Sequence, residues 1–383
     1  MPLGVYIQVP FCQTKCTYCN FHTGVVARDR YQPYAEAVCR EILESAAPSA
    51  QAVDTVYFGG GTPSLLDPAA LEHILGTLRR TYKMDSVEAT LEADPETITP
   101  EKASAWLASG INRLSLGAQS FSDQELQSTG RMHRRADIFQ AVQVARDAGF
   151  GNISIDLIAG LPHQTRETWD ESLDSLLHIR PEHVSIYMLE IDEGSRLGRE
   201  SLAGGSRYGA GAIPSDDAIA DFYERACARL ETHGYEHYEI SNWALPGRRS
   251  RHNLKYWRRE PYAGFGAGAH SFDGSTRWAN VHDSARYTTL IEQRISPREQ
   301  IEAVTPSQAL EEEFFLGLRQ LEGIDLAGIE RKYGVALDDR VAALHNRIAG
   351  LHSQGLVDLE GTRLRLAPGR LTVSSEVFVE LLG

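Results

Sequence analysis

The sequence has 383 residues, with 38 Lys and Arg against 52 Asp and Glu, a formal net charge of −14. That excess of negative charge opposes binding to a phosphate backbone, so nucleic acid is not an expected partner. A composition of 42% apolar and 23% charged residues is ordinary for globular chains and excludes a disordered or collagen-like protein. No apolar run approaches the roughly 18 residues that cross a bilayer, and the first eleven residues have neither a basic stretch nor a leader-like apolar core. We expect a cytoplasmic protein of about two or three domains with no transmembrane segment.

In chain order, Val5 to Val9 reads as a strand and Tyr34 to Glu44 as a helix. Val53 to Phe58 is the next strand, running into Gly59-Gly60-Gly61-Thr62-Pro63. Apolar spacing at Leu71, Ile74, Leu75 and Leu78 predicts a helix over Ala69 to Tyr82. Strand-like runs follow at Val87 to Leu91, Arg113 to Leu116, Ile153 to Ile158 and Val184 to Leu189, with helical stretches such as Ile138 to Ala148 and Thr168 to Ile179 between them. Repeated β/α units imply a parallel sheet with right-handed crossovers. Six units are too few to close an eight-stranded barrel, so the expected fold is α/β, an open partial (β/α)6 barrel over residues 1–234.

Glu193 to Pro214 interrupts this pattern with six glycines and reads as a long loop, followed by a helix from Asp216 to His233. Residues 235–305 form an aromatic- and glycine-rich middle segment. Residues 306–383 change character again. Helices are predicted at Leu310 to Leu321, Leu326 to Tyr333 and Val341 to Gln354, then a hairpin from Leu356 to Leu359 and Leu364 to Leu366. Three helices and a hairpin suggest a winged-helix-like α+β module. Its 8 Lys and Arg against 12 Asp and Glu argue against DNA binding.

Three of the five cysteines, Cys12, Cys16 and Cys19, lie within eight residues, immediately after the first strand. Thiolates at such spacing bind zinc or an iron–sulfur cluster. Zinc would take His22 as a fourth ligand; a [4Fe–4S] cluster on three cysteines would leave one iron open. Cys39 and Cys227 fall on helical patterns and read as core residues. The glycine run after the second strand brings backbone close to a ligand and offers N–H groups. Glu92, Gln119 and Asp156 recur at the C-terminal ends of successive strands, where β/α barrels gather their sites. Arg131 follows, suited to pairing with a carboxylate.

The spacing C-x3-C-x2-C after a first strand resembles the radical S-adenosylmethionine (SAM) superfamily. Val5-Tyr6-Ile7-Gln8-Val9-Pro10-Phe11-Cys12, the GGGTP loop, Gln119-Ser120-Phe121 and Asp156 to Pro162 are similar to the oxygen-independent coproporphyrinogen III dehydrogenase (HemN) family. That resemblance implies a [4Fe–4S] cluster on Cys12, Cys16 and Cys19 and an electron donor such as a flavodoxin or ferredoxin. It places Tyr6, Tyr18, Gly60, Gly61, Thr62, Glu92, Gln119, Arg131 and Asp156 around cluster and SAM. Two features depart from the dehydrogenases: Phe21 stands where they carry a fourth cysteine, and only eleven residues precede Cys12 in place of a long N-terminal arm. Both departures resemble the HemW subgroup of haem chaperones, as does His252-Asn253-Leu254-Lys255-Tyr256-Trp257. This resemblance implies haem as cargo, held by His252, Tyr256 and Trp257 and passed to haem-receiving apoproteins. His270, on a second glycine-rich stretch, is the other candidate haem ligand. The cysteines and His252 are far apart in sequence, so Cys12→Ala is expected to leave haem binding largely intact.

Overall fold

The structure is a computed structural model that describes residues 1–45, 51–334 and 338–382. Six strands, β1 (Leu3–Val9), β2 (Val53–Gly60), β3 (Glu88–Ala93), β4 (Arg113–Gln119), β5 (Ile153–Ala159) and β6 (His183–Met188), pair in parallel in sequence order. Helices such as Tyr31–Ser45, Pro68–Thr81, Arg135–Ala148 and Arg166–Ile179 make the crossovers. The reason is visible in β1: Val5, Ile7 and Val9 are fully buried, whereas Tyr6 and Gln8, pointing the other way, stay partly exposed in the lumen. The helical stripe Leu71, Ile74, Leu75 and Leu78 is likewise buried, each side chain stabilising the fold by roughly 1.5–3 kcal/mol.

The segment after residue 235 adds six more strands to the same sheet. They are β7 (Glu236–Glu239), β8 (Asn242–Ala244), β9 (Tyr262–Phe265), β10 (His270–Phe272), β11 (Thr276–Asn280) and β12 (Arg298–Ala303). The full order is β12-β11-β10-β9-β1-β2-β3-β4-β5-β6-β8-β7, so this segment flanks the parallel strands on both sides. To get from β8 to β9 the chain must cross from one side of the sheet to the other. It does so through the helix Arg251–Trp257, which carries the HNxxYW residues. His252 bonds Thr55 near the start of β2 and its backbone N–H donates to Glu88 at the start of β3. This helix therefore forms a floor under the N-terminal ends of the strands.

The stretch Glu193 to Pro214 is not the irregular loop expected. Ser195 caps a helix, Arg196–Leu202, by accepting from the Gly198 N–H at 2.8 Å, and a 3-10 segment Arg207–Ala212 follows. Seven residues with a glycine inside are too few to show helical periodicity. This segment straps the cysteine loop: Leu197 N–H donates to Thr17 O at 2.8 Å and Asn20 donates to Asp192 at 3.2 Å.

Residues beyond 305 build a second core around Leu310, Phe314, Leu318, Ile329, Val357 and Phe378. Helices Pro306–Gly317, Leu326–Tyr333 and Asp338–Ser353 pack with the strands β13 (Ile324–Asp325), β14 (Val357–Glu360) and β15 (Arg363–Leu366). Their order, β13-β15-β14, adds one strand to the expected hairpin; a two-residue strand leaves no pattern in sequence. A last helix, Ser374–Leu382, also went unread. Glu312 ties this module to the sheet by pairing with Arg259 at 2.5 Å and Arg277 at 2.6 Å.

Candidate functional site at the C-terminal ends of the strands

A cavity of about 370 Å³ opens where β1, β2 and β3 end. Tyr6 and Gln8 from β1, Gly60 from β2 and Glu92 from β3 form its inner wall, and Tyr256 rises into it from the floor helix. Phe21 and His22 approach from the cysteine loop, and Gly268, His270 and His282 from the chain around β10 and β11. The cysteine loop and the HNxxYW helix thus meet at one cavity, although they lie far apart in the sequence. Sequence distance was the wrong measure, because β9 lies beside β1.

The cysteine loop leaves β1 through Phe11 and is pinned by backbone bonds from Cys12 N–H to Gly24 O (3.0 Å) and Gly24 N–H to Pro10 O (2.9 Å). All five cysteines are free; Cys39 is buried in the core of the Tyr31–Ser45 helix. Burial raises the Cys12 and Cys19 thiols above their ordinary pKa, each reinforced by a neighbouring cysteine, so metal must displace protons there. The Arg131 guanidinium lies 3.6 Å from Cys16 Sγ, a cation suited to a thiolate. Arg131 is itself held by Asp94 and by Gly117 O, both at 2.5 Å, and Asp94 also accepts from Thr62 Oγ1 at 3.0 Å. Tyr18 packs half-buried against Arg131 and Cys16, and desolvation of its hydroxyl raises the pKa well above the ordinary value.

This donor set fits an iron–sulfur cluster better than zinc. Among the described residues no three His, Cys, Asp or Glu side chains are arranged around a single ion. A cluster places each thiolate on a different iron and tolerates wider spacing. His22, the fourth ligand that zinc would need, instead packs against His282, the rings tilted by 36° with centroids 4.2 Å apart.

The glycine run serves a different purpose from the one its sequence suggests. Gly61 N–H donates to Val9 O at 2.8 Å, Thr62 N–H to Phe11 O at 2.7 Å, and Gly60 N–H to Glu92 at 3.1 Å. All three N–H groups are engaged within the protein. A Cβ at Gly61 would strike the Phe11 carbonyl, so glycine here lets β2 lie against the start of the cysteine loop. Glu92 also accepts from Tyr57 OH at 2.9 Å, and burial, with Asp156 nearby, pushes its carboxyl up to about 7. Asp156 sits deeper, facing the Ser115 and Ser154 hydroxyls at 3.4 and 3.5 Å, and burial raises its pKa too. Gln119 ends β4 at a bulge with a left-handed backbone (φ 66°).

The three residues tied to haem by resemblance part company. The His252 ring is 1% exposed, with Nδ1 on Thr55 Oγ1 at 2.9 Å and Nε2 on the Tyr256 hydroxyl at 2.8 Å. Burial, with Lys255 and Arg113 nearby, lowers its pKa to about 3 and keeps it neutral. Trp257 lies under the Arg319 guanidinium, 4.4 Å from ring centroid to cation, at the junction with the C-terminal module. Only Tyr256 reaches the cavity. His270 is exposed at the cavity mouth, as are Phe21 and His22. Gln8, Asp94, Tyr262 and His282 were not singled out from sequence. Alternation with Tyr6 could have revealed Gln8; nothing local marks His282.

Residues 6–176 match the radical SAM superfamily and residues 304–369 match the HemN C-terminal domain. Fold and site together define a radical SAM protein: a partial α/β barrel with a three-cysteine loop after its first strand and a HemN-type module behind it. The haem chaperone HemW of Bacillus subtilis (strain 168) is 35% identical over 383 residues, 99% of each chain. That of Synechocystis sp. is 37% identical over 336 residues, covering 85% of this chain and 80% of its own. The chain belongs to the HemW family. The solved structure of coproporphyrinogen III oxidase (HemN) from Escherichia coli shares the fold, with a TM-score of 0.84, 23% identity, and coverage of 99% of this chain and 90% of that one. Among the described residues no helix is long and apolar enough to cross a membrane.

Proposed function

We propose that this protein is a haem chaperone that binds haem and passes it to haem-requiring apoproteins in the cytoplasm, carrying a [4Fe–4S] cluster and SAM. The observation that carries this reading is full-length similarity to the haem chaperone HemW of Bacillus subtilis. The shared cavity supports it, with aromatic rings and imidazoles beside the cysteine loop. Cys12, Cys16 and Cys19 hold the cluster, and Tyr18 shields it. Arg131 keeps a positive charge beside Cys16 and is fixed by Asp94. Tyr6, Gly60 and Glu92 offer SAM an inner wall; Gly61 and Thr62 set the path of that wall, and Gln119 and Asp156 line the lumen beyond it. Glu92 supplies an acceptor for an amino group. When bound, a cluster with one open iron coordinates SAM and supplies one electron, which a flavodoxin or ferredoxin replenishes. Five free cysteines suit a reducing compartment.

The test is anaerobic reconstitution followed by separate incubation with haem and with coproporphyrinogen III. We expect about four iron and four sulfide per chain, lost on Cys12→Ala, Cys16→Ala or Cys19→Ala and kept on Cys39→Ala. We expect one haem per chain with micromolar or tighter affinity, about −8 kcal/mol or better. Accumulation of protoporphyrinogen would replace the chaperone with the dehydrogenase.

A further inference from the structure

We propose that the iron of haem is taken at the cavity mouth by the imidazole of His270, with the closely packed His22–His282 pair beside it, and not by His252. This rests on the haem-binding reading and assigns its ligands. The three mouth histidines come from three separate places: the start of β10, the loop just after Cys19, and the chain following β11. They line one cavity, and His270 lies close enough to both others to feel their charge.

Their nitrogens are what distinguish them. No hydrogen bond engages any of the six ring nitrogens of His22, His270 and His282 among the described residues. His282 Nδ1 is buried without a partner, an arrangement that costs about 1–3 kcal/mol and marks this ring as unsatisfied in the protein alone. Gly268, with φ +76°, makes the room: a Cβ there would stand 2.9 Å from that nitrogen. His252 is the opposite case, since both of its nitrogens already bond to hydroxyls. An iron bond at His252 would strip the Thr55 or Tyr256 hydroxyl of its partner inside the core.

The geometry also selects the kind of iron. Among the described residues the mouth has no three-ligand cluster around one point, so it is poorly built for a bare ion. Haem iron arrives with four positions filled by the porphyrin and needs only one or two axial imidazoles. Phe21, 65% exposed, and the Tyr256 and Tyr262 rings give the porphyrin apolar surface to cover.

The experiment is a haem titration, read by the Soret band, on cluster-reconstituted full-length wild type, His270→Ala, the double variant His22→Ala/His282→Ala, and His252→Gln. His270→Ala should shift the Soret band and weaken binding about tenfold or more. Added imidazole should restore the wild-type band in that variant, which a merely structural loss would not allow. The double variant should weaken binding less. His252→Gln keeps a hydrogen-bonding side chain in the floor and should leave the band unchanged. Wild-type spectra and affinity in both mouth variants, or loss of the band in His252→Gln, would overturn this assignment while leaving the chaperone reading intact. Failure of the wild type to bind haem would overturn both.

Discussion

The floor and the mouth of the cavity hold the same residue types in opposite states. At the floor, His252 is buried, neutral and bonded through both nitrogens, and on the inner wall above it Tyr57 and Gly60 both donate to Glu92. At the mouth, His22 and His270 are exposed and unbonded, and His282 keeps an orphaned nitrogen. A satisfied buried polar group stabilises a fold, because removing it leaves its partners unpaired in a low-dielectric interior. An unsatisfied one at a cavity is available to a ligand. The contrast separates residues that keep the barrel in shape from residues held ready for cargo, and substitutions can break it.

The largest loss is expected at Arg131, whose ion pair with Asp94 stands beside the cysteines, the Arg131 side chain being almost fully enclosed. Arg131→Met should cost about 3 kcal/mol or more by leaving the half-buried Asp94 carboxylate without its cation, with only Thr62 among the described residues still bonded to it, and Asp94→Asn/Arg131→Met should recover part of that cost. Denaturant unfolding of cluster-free protein measures both. His252→Ala should follow at about 2–4 kcal/mol, since it opens a void and orphans two hydroxyls. A stable His252→Ala protein would show that the floor helix does not depend on its histidine.

A smaller effect depends on pH. Glu41 accepts from Tyr287 OH, Gly266 N–H and Asn280, and so anchors the glycine loop that leads to His270. Burial raises its carboxyl to about 7 in the folded protein, against about 4.3 in an unfolded chain. The folded state therefore binds the proton more tightly. Its contribution to stability is greatest below about pH 4.3 and falls as the pH rises to about 7, by at most about 1.4 kcal/mol per pH unit. Thermal unfolding across that range should show a shallower decline in Glu41→Gln than in wild type; equal slopes would mean that another group carries the titration. The smallest change belongs to the mouth. His270→Ala should move stability by less than about 0.5 kcal/mol, since the exposed ring bonds to nothing, even though we expect the same substitution to alter haem binding. A large stability loss there would erase the distinction between the two regions.

Much of the molecule was legible in the residues themselves. The six parallel strands, the cysteine triplet, the acceptors at Glu92 and Asp156 and the change of character near residue 306 each rest on local pattern: alternation, helical spacing, or a cluster of one residue type. Local pattern also put the glycine loop and Glu92 at the same end of successive strands, because successive β/α units bring those ends together, while Tyr6 came only from the family resemblance. Tertiary structure alone decided the rest. Gly61 and Thr62 could not be read as turned toward Val9 and Phe11, since the direction of an N–H depends on which strand lies alongside. The return of β9 to the flank of β1 is a long-range pairing with no marker in either strand, and it is what brings His270 and His282 opposite His22. Whether a histidine is a strut or a free ligand depends on the hydrogen-bond partners that packing supplies, so His252 and His270 became distinguishable only in the folded chain.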